Sequence, residues 1–229
     1  MTELLSIRLL PVLLTLLGYQ AGVRLQQKLK SPLVNPILVA VILVIPALYL
    51  LGIPTEDYRS ANDRLSWLMT PATICLAIPM YEQFRVLRKN WKALAAGITA
   101  GALSCLVFIG LFCLVLGYDR SLTISLLPKS ITSAIGVPLS ELSGGISSVT
   151  TAVIIFTGIF ANVSCPFLAR LFRLTDEIAL GAALGTSGHV IGTARANEIS
   201  PLAGAVSSLS LVTAGLLTAA LFPLIIRLL

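Results

Sequence analysis

Six long apolar runs govern what this chain can fold into. They lie at about 4–23, 33–51, 64–81, 93–117, 147–169 and 201–226, and each approaches the roughly 20 residues an α-helix needs to cross a hydrocarbon core. With 56% hydrophobic and only 11% charged residues among 229, the chain is expected to be an integral membrane protein. Its length gives room for about seven or eight membrane segments and none for a large extramembrane enzyme domain. The first run lacks a small-residue cleavage site and continues directly into further spans, so a retained helix is expected and not a removed signal peptide.

A net charge of +6 would suggest nucleic acid in a soluble protein; here it reads as an orientation signal, with no nucleic-acid partner. Arg24, Lys28 and Lys30 place three positive charges in the first linker. The second, with Glu56, Asp57, Arg59, Asp63 and Arg64, sums to −1, and the third, with Glu82, Arg85, Arg88, Lys89 and Lys92, to +3. The positive-inside rule then puts the first and third linkers in the cytoplasm and the N-terminus outside, with the 93–117 span leaving near Tyr118, Asp119 and Arg120. Arg170 and Arg173 mark the return after 147–169. Trp67, Tyr81 and Trp91 read as interfacial anchors, and the basic 85–92 cluster chiefly as a topology signal, only weakly as a lipid-headgroup site. Cys75, Cys105, Cys113 and Cys165 lie in apolar runs without a CxxC pair or a histidine at ligand spacing, which predicts buried thiols, no disulfide framework and no metal.

This topology forces a conclusion about 121–146. The chain must be outside at both ends of a segment too apolar for an open loop, so the segment enters the membrane and returns. Pro128, Pro138, Gly136, Gly144 and Gly145, with Ser130, Thr132, Ser133, Ser140 and Ser143, predict a re-entrant hairpin or broken helix. Such backbone is tolerable at membrane depth only where protein buries it or it lines a wet cavity. Residues 175–200 have the same character, with Gly181, Gly185, Gly188 and Gly192 among hydroxyls and then Pro201. Ser130–Gly136 followed by Glu141-Leu142-Ser143 parallels Ser187–Gly192 followed by Glu198-Ile199-Ser200. The two segments approach from opposite sides, the pattern of an inverted repeat. Tight helix packing by small residues accounts for the composition equally well.

Ionisable groups cost at least about 2.5–3.5 kcal/mol each inside a membrane segment, which makes them functional candidates. Lys129, Glu141, His189, Arg195 and Glu198 all fall in or beside the two interrupted segments. Pro128-Lys129-Ser130 suits a half-helix start, where unpaired N–H groups and an ammonium attract an anion, and Gly185-Thr186-Ser187-Gly188 offers donors from the opposite side. A small carboxylate is favoured there over a cation such as sodium. Arg195 is a candidate clamp, and Ser130, Thr132, Thr186 and Ser187 can reach a neighbouring hydroxyl or keto oxygen. His189 suits proton exchange or a hydrogen-bonded helix interface in equal measure. Glu141 and Glu198 read as ion-pair partners of Lys129 and Arg195 ahead of proton carriers. The absence of Walker A, GxSxG and HExxH patterns leaves no support for ATP, serine or zinc hydrolysis, and no enzyme activity or cofactor is expected.

Pro128–Thr132, Gly144-Gly145-Ile146 with Thr150, and the run from Gly185 through Gly188-His189-Val190-Ile191-Gly192-Thr193 to Ala196 give the chain, over essentially its whole length, a form that resembles the LrgB/CidB family. Members were named antiholin-like or holin-like regulators of murein hydrolase activity and lysis, and the related plant plastid protein is a glycolate/glycerate translocator. The resemblance implies a bacterial inner-membrane transporter of small 2-hydroxy or 2-keto acids such as glycolate, glycerate or pyruvate. It also implies a smaller LrgA/CidA-type companion. The expected fold is an all-α polytopic membrane protein with about six full spans plus two re-entrant or broken segments. Residues 1–117 are expected to form the scaffold, self-associating as a dimer through its aromatic residues, and 118–229 the transport half.

Overall fold

The computed structural model describes residues 2–29 and 34–228, and among them all regular structure is helical: α1 (Thr2–Leu29), α2 (Pro36–Leu50), α3 (Thr55–Trp67), α4 (Met69–Cys75), α5 (Ala77–Glu82), α6 (Phe84–Lys89), α7 (Trp91–Val115), α8 (Arg120–Leu126), α9 (Ser133–Leu142), α10 (Ser147–Leu171), α11 (Glu177–Ile199) and α12 (Pro201–Leu228). The protein is an all-α membrane protein. Of the described helices α7, α10 and α12 are long and apolar enough to cross a bilayer. Phe108, Phe156 and Phe160 on α7 and α10 are each at least 60% exposed, an apolar face suited to lipid and not to water. The orienting Lys30 and the expected start of the second span at 33 lie outside the described residues.

The chain divides into compact units at Cys75/Leu76, whereas the sequence pattern suggested a divide at 117/118. In the first unit α1 and α2 approach closely at glycines: a methyl on Gly18 would sit 2.9 Å from Val44 Cγ2, contact of the kind small residues permit between membrane helices. Asn35 caps α2 by accepting from Ile37 and Leu38 N–H. Thr15 on α1 meets Tyr58 and Asn62 on α3.

The expected span 64–81 is not one helix; within it helices end at Trp67 and Cys75. The cause is proline. Pro71 has no N–H to donate to the Trp67 carbonyl four residues back, and Pro79 has none for Cys75. Cys75 is exposed, against the expectation of a buried thiol, and Cys105 is part-buried, while Cys113 and Cys165 are buried as expected.

In the second unit α7 packs with α11 and α12, its inner face being Leu94, Ile98, Ala102, Leu106 and Cys113. Two hairpins dock there. The first is α8, a turn over 127–132, and α9. Its ends are tied together, since Ser121 Oγ donates to the Gly144 carbonyl at 2.9 Å and Ile146 N–H to Ser125 Oγ at 2.7 Å. The chain thus enters and leaves at one end.

The second hairpin is α11 itself. A straight helix of 23 residues would hold its ends roughly 33 Å apart, yet Ser200 Oγ donates to Glu177 Oε2 at 2.8 Å. The reversal sits at His189, whose φ of 42° and ψ of −134° leave the helical region. Past it the second arm lies back along the first, so closely that a Cβ on Gly192 would collide with the Leu184 carbonyl oxygen. Gly181 and Gly185 on the first arm press on the Ala203 and Ser207 carbonyls of α12. Both expected interruptions, 121–146 and 175–200, are therefore folded-back helical pairs.

Candidate functional site

Both hairpin tips meet the middle of α7. In the first tip Ser130 Oγ lies 3.1 Å from Cys105 Sγ. In the second, Thr186 comes so near Gly101 that an added methyl would be 2.8 Å from Thr186 Cγ2. Residues 101 and 105 fall close to the centre of the 25-residue α7, so the tips lie about half-way along a span. Behind the second tip, Gly158 and Ala161 near the middle of α10 face the His189 ring and Gly188.

A groove of about 950 Å³ leads to this meeting point. One wall is Asn90, just before α7, and the α7 stripe through Gly97 and Gly101 to Cys105; the other is the capping Asp176 and the first arm of α11 through Ala182 to Ser187. Lys129 and Ser130 of the first tip line its mid-span end. The volume is within the range of small-molecule sites. It exists because the stripe carries small side chains at helical spacing: Gly97 has nothing within 4 Å of where its Cβ would be. Over the 12 residues from Asp176 to Ser187 the groove runs about 16 Å along α11.

The polar groups divide by depth. Lys129 Nζ donates to Ser130 Oγ at 3.2 Å, leaving an ammonium with further donor capacity at the inner end. Thr186 Oγ1 donates to the Ala182 carbonyl and Ser187 Oγ to that of Ala183, both at 2.7 Å, so these hydroxyls turn lone pairs outward. Asp176, whose Oδ1 caps α11 by accepting from Ala179 N–H at 2.8 Å, puts negative charge at the opposite end. A solute that carries an anionic group beside a hydroxyl donor matches the inner end: the ammonium takes the anion, and a threonine or serine oxygen accepts from the hydroxyl.

Of the residues singled out by sequence, Lys129, Ser130, Thr186 and Ser187 come together in the groove. The remainder lie elsewhere. Thr132 begins α9, its carbonyl accepting from Ile135 and Gly136 N–H. His189 is buried, with Nε2 2.9 Å from the Ile154 carbonyl oxygen, and its own carbonyl accepts from Thr193 Oγ1; this is the interface geometry. Arg195 is on the returning arm of α11 and pairs with Glu198, its Nε buried without a partner. That is the one ion pair among the described residues, so the expected Lys129–Glu141 pair does not form. Glu141 sits near the far end of α9, twelve residues from Lys129.

Sequence reasoning passed over Asn90, Asp176 and the α7 stripe. Asp176 was legible as an aspartate just before an apolar helix, the signature of an N-cap. Gly97, Gly101 and Ser104 at three- and four-residue spacing mark one face of α7, but nothing local says that this face is left open.

The model of the LrgB-like family matches residues 15–228 of the chain. No solved structure matches it.

Proposed function

The chain belongs to the LrgB-like family, and from that premise we propose that it is a secondary transporter of small monocarboxylates, with 2-hydroxy acids such as glycolate and glycerate preferred to 2-keto acids such as pyruvate. One observation carries the reading: the two hairpin tips bring Lys129 and Ser130 together with Thr186 and Ser187 in one groove half-way along a span. The ammonium serves the carboxylate. The outward lone pairs of Thr186 and Ser187 favour a substrate hydroxyl, which donates, over a keto oxygen, which cannot.

Alternating access follows from the same arrangement. The groove runs along α7 and α11 from Asn90 and Asp176 toward mid-span, starting next to the basic 85–92 cluster that the positive-inside rule assigns to the cytoplasm. The first hairpin approaches from the other end of α7. Opposed hairpins with tips at mid-span are how inverted-repeat transporters expose one site to each side in turn. In this reading the protein sits in a bacterial inner membrane with its N-terminus outside. It has no enzymatic step and no cofactor, and works beside an LrgA/CidA-type companion as a dimer. Arg195 and Glu198, paired with each other, stabilise the second hairpin and do not touch substrate.

The test is uptake of labelled glycolate into proteoliposomes, with and without the companion protein. The expected result is saturable flux, competed more strongly by glycerate than by pyruvate. Release of a trapped bulky dye in place of saturable uptake would mean a holin-like pore, and the transporter reading would fall.

A further inference from the structure

A second cavity, of about 550 Å³, lies on another side of α7, bounded by α5, α6, α7 and α12. Its floor is apolar, with Leu87, Leu94, Ile98 and Leu209. Its rim is aromatic and exposed: Tyr81 is 84%, Trp91 60% and Phe84 57% exposed, with the Lys92 ammonium over the Trp91 ring. Arg88 is the one charged residue lining it, and it has no ion-pair or hydrogen-bond partner among the described residues. Arg85, Lys89 and Lys92 stand in the same short stretch, with Glu82 as the lone acid.

We propose that this groove holds an anionic phospholipid, its phosphate on Arg88 and one acyl chain along the α7 face toward Ile98. Four features select this occupant. Polarity is graded: charge and indole lie at the N-terminal end of α7, and the lining from Trp91 to Ile98 turns wholly apolar over about 10 Å. A guanidinium supplies paired donors in the geometry that phosphate oxygens accept. The neighbouring cations raise the local potential, each adding attraction to an anionic leaflet, and exposed tryptophan and tyrosine sit naturally at headgroup level. A zwitterionic lipid offers Arg88 the same phosphate but brings a quaternary ammonium into the company of Arg85, Lys89 and Lys92, a like-charge cost that an anionic headgroup does not carry. Since Leu94 borders both this groove and the Lys129 groove, a lipid seated here packs directly behind the wall of the other cavity. The proposal does not depend on what that cavity carries.

Native mass spectrometry of the full-length, delipidated protein in detergent tests this, titrating phosphatidylglycerol against phosphatidylcholine with the same acyl chains. The expected result is one phosphatidylglycerol retained and phosphatidylcholine lost. Arg88→Gln should weaken phosphatidylglycerol binding about fivefold, the effect of one interfacial cation. Ala95→Trp, which fills the groove from an exposed α7 position, should abolish retention with the charge intact, while Arg227→Gln at the far end of α12 should change nothing. Equal retention of both lipids, indifference to Arg88→Gln and Ala95→Trp, or an equal loss in Arg227→Gln would each overturn the assignment. So would Ala95→Trp splitting a dimer while lipid stays bound, since the groove would then receive a second copy of the chain.

Discussion

Replacing Gly192 by alanine separates a folded-back α11 from a straight one. In a straight helix the exchange would remove the entropic cost of glycine and stabilise the protein by about 0.8–1 kcal/mol. In the hairpin the new Cβ would collide with the Leu184 carbonyl oxygen of the opposing arm. That oxygen is backbone in the middle of a helix, so relief requires the arms to part by roughly an ångström, an overpacking strain of about 1–3 kcal/mol. Gly97→Ala is the matched control: also helical, also in the second unit, with nothing within 4 Å of the added methyl. Both variants would be purified in the same detergent and melted side by side. The sign should differ, Gly97→Ala neutral or stabilised and Gly192→Ala destabilised, a gap of about 1–4 kcal/mol that puts the midpoints about 2–16 °C apart at the usual 2–4 °C per kcal/mol for a chain of this size. If Gly192→Ala melts with or above Gly97→Ala, the two arms are not in contact and the hairpin is refuted, together with the tip geometry built on it.

Three further outcomes are expected. Lys129→Met should raise the apparent KM for glycolate about 10- to 100-fold, the loss of one charge-assisted hydrogen bond of about 1.5–3 kcal/mol, with an unaltered elution profile; an unchanged KM removes the ammonium from the site. Gly97→Leu, which projects into open groove, should abolish uptake while leaving the melting temperature within a few degrees, whereas persistent uptake would place the solute path elsewhere. At His189, glycine should be better tolerated than alanine by about 1–3 kcal/mol, because φ is 42° there and only glycine occupies that region without strain. Both variants lose the bond to Ile154, and a helical site would give the reverse order.

Much of the architecture was legible because it rests on chemistry that any bilayer imposes. Charge distribution and apolar run length required that 121–146 return to the side it came from. Prolines and glycines marked where backbone leaves the helix, and Lys129 fell at such a break because a cation at mid-span needs a protein-lined or wet surrounding. The same reasoning failed for 64–81, where hydropathy outweighed two prolines that each delete a helical hydrogen bond.

Partnership was another matter, since it depends on how far each hairpin folds back. The reversal in α11 falls on His189 and not on an adjacent glycine, held by the Ile154 carbonyl and by a gap at Gly158 that only packing against α10 creates. That choice sends Thr186 and Ser187 down the arm facing α7 and Arg195 down the returning arm, where it meets Glu198. Sequence determined that this chain crosses a membrane and that its two interrupted segments carry the costly charges. Only the tertiary structure decided which charges share a cavity, because side chains a few residues apart in sequence end on opposite arms once a helix doubles back on itself.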